Sequence, residues 1–195
     1  MSSRGAAFTG AVLTGGSSTR MGTDKALLEV HGRALAVVAA DALTAAGADE
    51  VLAVGGDLAA LARLGLDARA DDHPGEGPLG GILTALRHAS HDLVVVLACD
   101  MPGIDATVVS ALVRALADDP DADVAAADGG GQVQALTAAY RREGRPVLAA
   151  RFAAGERAVR RAIAPLRVVL VDGLTPEALA DVDRPEDLRR YAHPS

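Results

Sequence analysis

The stretch DLVVVLACD, residues 92–100, constrains the fold more strongly than any other part of the chain. Its apolar residues follow one another without the polar alternation of a half-exposed strand. A continuous aliphatic run of this length is typical of a central strand that is buried on both faces. We therefore predict a sheet that is covered by helices on both sides, with this run near its centre.

Similar apolar runs alternate with helical patterns along the 195 residues. Strands are predicted at residues 10–13, 50–56, 66–71, 92–100, 122–127, 132–142 and 166–172. Helices are predicted at residues 33–47, 58–65, 82–90, 105–117, 146–163 (with a break at Gly155) and 184–192. Repeating β–α units of this length predict an α/β fold, a three-layer sandwich around a mostly parallel sheet, in one domain spanning residues 1–195.

Charge and cysteine content argue against several classes of function. The formal net charge is −7 and the isoelectric point about 5.1, so attraction of the whole surface to nucleic acid or to an acidic membrane is unfavourable, and neither partner is expected. Cys99 is the only cysteine, which excludes an intrachain disulfide and a thiolate metal cluster. A reducing, cytoplasmic setting is the simplest interpretation.

Three loops are the least core-like stretches of the first hundred residues: 14–24, 71–79 and 99–103. Each follows a predicted strand. In open α/β sheets, ligands bind beyond the carboxyl ends of the strands. Because parallel strands end at the same edge, the three loops are expected to meet there and to form a ligand site.

The first of these loops has the composition of a phosphate-binding loop. Gly15 and Gly16 would let the backbone approach a ligand closely, while Arg20 and Lys25 add positive charge. The spacing fits neither a Walker A loop nor G-x-G-x-x-G. The alternative is a solvated loop with incidental charges.

An acidic residue, Asp100, ends the central apolar run. An ionised carboxylate is costly there unless it faces the ligand edge, where it would suit Mg²⁺ together with substrate phosphates. The alternative is a residue that only caps the following turn. Cys99 is predicted to be a small core residue rather than a nucleophile. The glycine- and proline-rich stretch at 71–81 is interpreted as a close-contact loop or as a rigid turn before a helix.

The carboxyl-terminal third contains two further charged groups. Asp181 and Asp183 precede a predicted helix, and a helix N-cap is the favoured interpretation for one of them. Arg157, Arg160 and Arg161 fall in a helical pattern, for which a solvated face is favoured over contact with an anionic substrate.

Four motifs occur in a fixed order. LTGGSSTRMGTDKALL (13–28) fits L-A-G-G-x-S-x-R-M-G-x-D-K-x-L-L, with Thr14 in place of Ala. DDHPGEGPLGGILTAL (71–86) fits D-x-x-P-G-x-G-P-L-x-G-I-x-x-A-L, ACDMP (98–102) contains C-D-x-P, and VDRPEDL (182–188) is similar to V-N-T-P-E-D-L. Together they resemble the signature of the molybdenum cofactor guanylyltransferases over nearly the whole chain.

This resemblance implies a Rossmann-like nucleotidyltransferase fold of the GT-A type. It also implies transfer of GMP from GTP to the terminal phosphate of the molybdopterin cofactor, with release of pyrophosphate. By the same resemblance Mg²⁺ is held by Asp100 and Asp183, and the catalytic residues are Arg20, Lys25 and Asp100. The residues implied in nucleotide binding are Leu13, Thr14, Gly15, Gly16, Lys25, Asp71 and Asp100.

Two alternatives stay open at this point. The first is a related cytidylyltransferase that acts on molybdopterin or on another phosphorylated small molecule. Asp183 stands where the guanylyltransferases usually carry Asn, and Asp is common there in the cytidylyltransferases, although the Gly15–Gly16 pair favours the guanylyl branch. Ala135 also replaces a usual Pro. The other alternative is an inactive nucleotide-binding homologue, against which the presence of both Lys25 and Asp100 argues. A monomer or a weak homo-oligomer is expected.

Overall fold

The computed structural model describes residues 6–15, 24–182 and 187. The strands are β1 (Thr9–Leu13), β2 (Glu29–Val30), β3 (Arg33–Ala34), β4 (Glu50–Val54), β5 (Asp67–Arg69), β6 (Leu93–Ala98), β7 (Val124–Asp128), β8 (Val133–Arg141) and β9 (Val168–Val171). The α-helices are α1 (Leu35–Ala45), α2 (Leu58–Arg63), α3 (Pro78–His88), α4 (Ala106–Asp118), α5 (Arg145–Ala153) and α6 (Val159–Ala162). Short 3₁₀ turns occupy Lys25–Leu27 and Arg142–Gly144.

The main sheet has the strand order β5-β4-β1-β6-β8-β7-β9. Every neighbouring pair is parallel except the two that involve β8, which runs antiparallel to both β6 and β7. The prediction of a mostly parallel α/β sheet is therefore confirmed. The apolar run at residues 92–100 supplies β6, which lies in the middle of the sheet, as predicted.

Strand β6 shows directly that both faces of the sheet are covered. Leu93, Val95 and Leu97 belong to one buried cluster, which includes residues of α1 and α4. Val94 and Val96 belong to a second cluster, which includes residues of α3, α5 and α6. Successive side chains of a strand point to opposite faces, so this alternation places one helical layer on each side of the sheet, giving three layers in all.

Two predicted helices have wrong boundaries. The helix predicted from residue 33 begins at Leu35, because Arg33 and Ala34 form β3 and pair with β2. His31 and Gly32 connect these strands with φ of 52° and 72°, the left-handed pair that tight hairpins require. The helix predicted for 82–90 begins earlier, with Pro78 in its first turn, and ends at His88.

The remaining predicted elements follow the expected order. The break at Gly155 separates α5 from α6. The closing helix predicted for residues 184–192 lies outside the described residues, apart from Asp187. None of the helices in residues 6–15 and 24–182 combines the length and the apolar character that crossing a bilayer requires.

Two adjacent glycines of α3 provide a test of this packing. A β-carbon at Gly80 would lie 2.7 Å from Cβ of His73, whereas one at Gly81 would lie 3.2 Å from a terminal methyl of Leu13. We expect Gly80→Ala to lower the free energy of unfolding by about 1–3 kcal/mol in urea denaturation, because backbone-anchored atoms must move.

Gly81→Ala is the matched control. The flexible Leu13 side chain can shift, and alanine is favoured over glycine within a helix by about 1 kcal/mol. We expect the free energy of unfolding of Gly81→Ala to equal or exceed that of the wild type. Equal losses in the two variants would contradict the tight contact between α3 and the loop that carries His73.

Candidate active site

The carboxyl ends of β5, β4, β1 and β6 meet at one edge of the sheet, as predicted. After β1, the backbone N–H groups of Thr14 and Gly15 both donate to the carbonyl of Val54 at the end of β4, at 2.9 and 3.1 Å. The N–H of Gly55 donates to the carbonyl of Arg69 at the end of β5, at 2.9 Å. These bonds align the three strand ends side by side.

The first loop rests on the turn after β4. Thr14 is buried, and its hydroxyl lies 3.0 Å from the carbonyl oxygen of Val54 and 2.9 Å from that of Gly55. A β-carbon on Gly55 would lie 2.9 Å from Cα of Gly15, and Gly55 has a φ of 84°. Glycine at 55 thus allows the two loops to touch. Gly16 and Arg20, both predicted site residues, lie outside the described residues.

Lys25 and Asp100 are brought together by the fold. The Lys25 ammonium nitrogen lies 3.6 Å from Oδ2 of Asp100, and the two side chains keep 20% and 26% of their surface exposed. The pair is therefore partly shielded from water but open to a ligand. Seventy-five residues of sequence separate these two predicted catalytic residues, so only the parallel order of β1 and β6 accounts for their contact.

Asp24 holds Lys25 in place. One carboxylate oxygen of Asp24 accepts from the backbone N–H of Ala26 at 3.0 Å and so caps the 3₁₀ turn that begins at Lys25. The other accepts from the N–H of Asp57 at 3.4 Å, at the start of α2. Asp24 therefore ties the Lys25 turn to the loop after β4, a role that the sequence analysis did not assign.

Asp71, the predicted nucleoside contact, is oriented by hydrogen bonds. Its Oδ1 accepts from the N–H of His73 at 3.0 Å and lies 2.9 Å from the hydroxyl of Thr84. Thr84 is fully buried in α3 and also accepts from the N–H of Asp72 at 3.1 Å. Sequence analysis missed Thr84, although a lone hydroxyl within the apolar stretch GILTALR was a usable signal.

The chain beyond β9 returns to Asp100. The backbone N–H of Val182 donates to the carbonyl of Asp100 at 2.8 Å. Gly103 is in such close contact with the carbonyl of Glu177 that a β-carbon there would overlap it. The segment before Asp183 is thereby attached to the loop after β6. Asp183, the predicted second metal ligand, lies outside the described residues.

A cavity of about 650 Å³ opens beside Asp100. The described residues that line it come from the start of α3, the end of β6 and the loop after it, β8, α6 with the residue before it, and the segment after β9: Pro78, Ala98, Asp100, Met101, Val133, Gln134, Ala135, Leu136, Thr137, Ala158, Val159, Arg160, Arg161, Leu179 and Asp181. The sequence analysis did not find this cavity. Asp181, one of the two residues that it considered as a helix cap, lies in the cavity wall.

An irregularity in β8 shapes the cavity. Along β7 the pairing passes from Ala126 opposite Ala138 to Ala127 opposite Gln134. Residues 135–137 therefore bulge away from β7, while Thr137 still pairs with Leu97 of β6. The bulged residues are among those that line the cavity, so the bulge contributes its wall next to the end of β6.

Cys99 is a core residue, as predicted. Burial, followed by the charges of Asp100 and Asp24, raises the pKa of its thiol to about 12. The thiol therefore stays protonated at neutral pH and is a poor nucleophile.

The donor chemistry at Asp100 suits Mg²⁺. The described residues contain no group of three or more His, Cys, Asp or Glu side chains that could hold a metal. Mg²⁺ does not require such a cage, because it is usually bound through one or two carboxylates, water and the phosphates of a substrate. Asp100, at the strand end and beside Lys25, offers a carboxylate of this kind.

Comparison of the sequence with known proteins gives a consistent family. Residues 10–169 match the model of the MobA-like NTP transferase domain. A probable molybdenum cofactor guanylyltransferase of Opitutus terrae is 35% identical over 199 residues, which cover 97% of each chain. A molybdenum cofactor guanylyltransferase of Cereibacter sphaeroides is 33% identical over 185 residues, which cover 93% of each.

Solved structures share the fold. Molybdopterin-guanine dinucleotide biosynthesis protein A from Archaeoglobus fulgidus superimposes with a TM-score of 0.77 at 24% identity, covering 94% of this chain and 96% of that one. A 2-C-methyl-D-erythritol 4-phosphate cytidylyltransferase from Thermus thermophilus superimposes with a TM-score of 0.70 at 19% identity, covering 93% and 95%. The family match spans most of the sequence and includes β1, Lys25 and Asp100, and we conclude that the chain belongs to the MobA-like nucleotidyltransferases.

Proposed function

We propose that this protein transfers GMP from GTP to the terminal phosphate of the molybdopterin cofactor. The observation that carries the proposal is the contact between Lys25 and Asp100, which lies between the loops at the end of β1 and the 650 Å³ cavity. A cation and a carboxylate in this position suit a triphosphate on one side and a phosphorylated acceptor on the other. The names of the relatives support GTP and molybdopterin as the pair.

The nucleotide half of the site is assigned to the edge formed by β1, β4 and β5. Leu13, Thr14 and Gly15 present backbone groups there, and Gly55 packs against Gly15. The carboxylate of Asp71 accepts hydrogen bonds from within its own loop and from Thr84, so its orientation is set before a nucleoside arrives. We assign guanosine contacts to these residues, and contacts with the triphosphate to Gly16, Arg20 and Lys25.

The acceptor half is assigned to the cavity beside Asp100. Its volume is in the range of small-molecule sites, and its walls combine aliphatic side chains with Gln134, Thr137 and two arginines. An acceptor bound there would place its terminal phosphate near Asp100, and so near the α-phosphate of a nucleotide on the other side.

The reaction requires positioning more than acid–base chemistry. An oxygen of the acceptor phosphate forms a bond to the α-phosphorus of GTP, the bond from that phosphorus to the α,β-bridging oxygen breaks, and pyrophosphate leaves with the electron pair. The attacking oxygen is already anionic at neutral pH, so no general base is needed. Lys25 would neutralise charge that develops on the leaving group, as fixed cations do in other phosphoryl transfers.

Mg²⁺ is proposed as the cofactor, held by Asp100 and Asp183. When bound, the ion would offset the negative charge of the phosphates. In the described structure Asp100 is paired with Lys25 and its carbonyl is bonded to Val182, the residue before Asp183 in the sequence. Asp100 is thus held from two directions.

A cytidylyltransferase is the second candidate. The observation in its favour is Asp183, which the related cytidylyltransferases commonly carry. Their shared fold does not separate the two candidates, since the Thermus thermophilus cytidylyltransferase superimposes over 93% of this chain. The preferred base therefore has to be measured.

The preferred nucleotide is expected to be GTP with Mg²⁺. A ligand at one hundred times its dissociation constant stabilises the folded state by about 2.7 kcal/mol, which for a chain of this size raises Tm by about 5–10 °C. We expect this shift for GTP with Mg²⁺ in thermal denaturation, and less than half of it with CTP, ATP or UTP or after EDTA is added. A larger shift with CTP would favour the cytidylyl alternative, and no shift with any nucleotide would contradict the proposal.

Loss of either member of the central pair should abolish transfer without unfolding the protein. We expect Lys25→Ala and Asp100→Ala to lower kcat for pyrophosphate release by about a hundredfold or more. A partly exposed ion pair contributes little to stability, so the free energy of unfolding should change by less than about 1 kcal/mol. Arg33→Ala, which removes an exposed, ion-paired arginine elsewhere, is the control and should retain full activity. Turnover near that of the wild type in either site variant would refute the assignment.

Thr84 is expected to act on the nucleotide half alone. Thr84→Val keeps the shape of the side chain but removes the hydroxyl that contacts Asp71 and accepts from the N–H of Asp72. We expect a loss of about 1–2 kcal/mol in the free energy of unfolding and a higher KM for GTP, with the KM for the acceptor unchanged. Thr84→Ser restores the hydroxyl and should recover the KM for GTP. An unchanged KM for GTP in Thr84→Val would show that Asp71 needs no such support.

A further inference from the structure

Three arginines, Arg157, Arg160 and Arg161, lie in and just before α6, and their partners differ. Arg157 donates to a carboxylate oxygen of Glu76 at 2.5 Å, and its guanidinium carbon lies 4.0 Å from the centre of the Phe152 ring. This arginine therefore joins α5 to the loop before α3. It is absent from the lining of the cavity.

Arg161 lines the cavity, but its charge is balanced. Its Nε and one terminal nitrogen donate to the two oxygens of Glu156, at 2.7 and 2.9 Å. The Arg161 guanidinium, followed by the backbone N–H of Ala158, keeps the pKa of Glu156 at about 2, so this carboxylate is ionised at any pH near neutrality. The bidentate pair leaves Arg161 little capacity to attract a further anion.

Arg160 lines the same cavity with a neutral partner. Both of its terminal nitrogens lie near the side-chain oxygen of Gln132, at 3.3 and 3.2 Å. Across residues 6–15, 24–182 and 187, no carboxylate lies within ion-pair distance of Arg160. An amide orients the guanidinium without neutralising it, so Arg160 brings an unneutralised charge and further N–H donors to the wall of the cavity that it lines.

Arg160 and Asp100 reach the cavity from different elements. Asp100 follows the last residue of β6, whereas Arg160 belongs to α6. Gln132, which holds the Arg160 guanidinium, precedes the first residue of β8. Arg160 would therefore contact a bound molecule from another element of the wall than the one that carries Asp100.

We infer that Arg160 is a specificity-determining residue, which donates a pair of hydrogen bonds to an acceptor edge of the second substrate other than the phosphate oxygen that reacts beside Asp100. This inference rests on the proposed function, and it adds a requirement on the substrate. The molecule must carry oxygen or nitrogen lone pairs, from an anionic group or from a ring carbonyl, in addition to its reacting phosphate. A guanidinium suits both, because its fork of N–H groups binds two neighbouring acceptor atoms.

Steady-state kinetics of pyrophosphate release, with molybdopterin cofactor varied at saturating GTP, tests the inference. We expect Arg160→Ala to raise the KM for molybdopterin by about tenfold to a hundredfold, the range for loss of charge-assisted hydrogen bonds. The KM for GTP and the Tm of the protein with GTP should not change, since Arg160 is exposed and belongs to α6, not to the edge formed by β1, β4 and β5. A purely structural role would alter those two quantities as well.

Two further variants sharpen the result. Gln132→Glu keeps Arg160 but gives it a carboxylate partner, and is expected to raise the KM for molybdopterin in the same direction. Arg160→Lys keeps the positive charge but loses the paired N–H groups of the guanidinium. A KM for molybdopterin equal to that of the wild type would identify an anionic group on the substrate. A KM that stays as high as in Arg160→Ala would identify an edge with two neighbouring acceptor atoms. Arg114→Ala is the matched control, because Arg114 is exposed on α4 at the other face of the sheet.

The outcomes separate the two proposals. If the wild-type protein releases no pyrophosphate from GTP with molybdopterin, the proposed function fails and the role of Arg160 with it. If the wild type is active and the KM for molybdopterin in Arg160→Ala stays within twofold of the wild-type value, the inference about Arg160 alone is overturned.

Discussion

Burial of the central strands on both faces is the constraint on which the rest of the structure depends. β1 and β6 lie side by side in the sheet, and all residues of β1 and residues 93–97 of β6 are buried between two helical layers. Ionised side chains are costly in such strands, so they occur where the strands end. Because β4, β1 and β6 run parallel, those ends share one edge, and the charged groups that follow them become neighbours.

The site is therefore composed of short polar extensions from a rigid apolar sheet. Thr14 follows β1 and is bonded to the end of β4, and Asp100 follows β6 and contacts Lys25. Asp24 and Thr84 lie outside the sheet, yet each holds a site residue in place through side-chain hydrogen bonds. Such support would fix the positions of the proposed catalytic groups before a substrate binds, which is how rigid scaffolds favour transfer reactions.

Among the described strands of the main sheet, β8 is the one that runs antiparallel to its neighbours, and it lines the cavity beside Asp100. β8 runs against β6 and β7, and its bulge at residues 135–137 leaves the line of β7 beside the end of β6. α6 contributes Arg160 and Arg161 to the cavity wall. Arg160 is hydrogen-bonded to the neutral amide of Gln132, whereas Arg161 is paired with the carboxylate of Glu156. An insertion in one strand and the choice of a Gln or a Glu as partner thus determine the shape and the charge of the cavity that we propose for the acceptor.

The sequence by itself determined the fold class, the order of strands and helices, and the edge at which Lys25, Asp71 and Asp100 meet. These follow from local periodicity and from the rule that ligands bind at the carboxyl ends of parallel strands, and neither depends on knowing which distant residues touch. The hairpin of β2 and β3 was missed because two residues per strand carry no periodic signal. Only the tertiary structure decided the cavity beside Asp100, the support of Asp71 by Thr84, and the difference between Arg160 and Arg161. Those features depend on contacts such as Arg160 with Gln132, which lie 28 residues apart on separate elements, and on a bulge whose position the strand pattern does not encode.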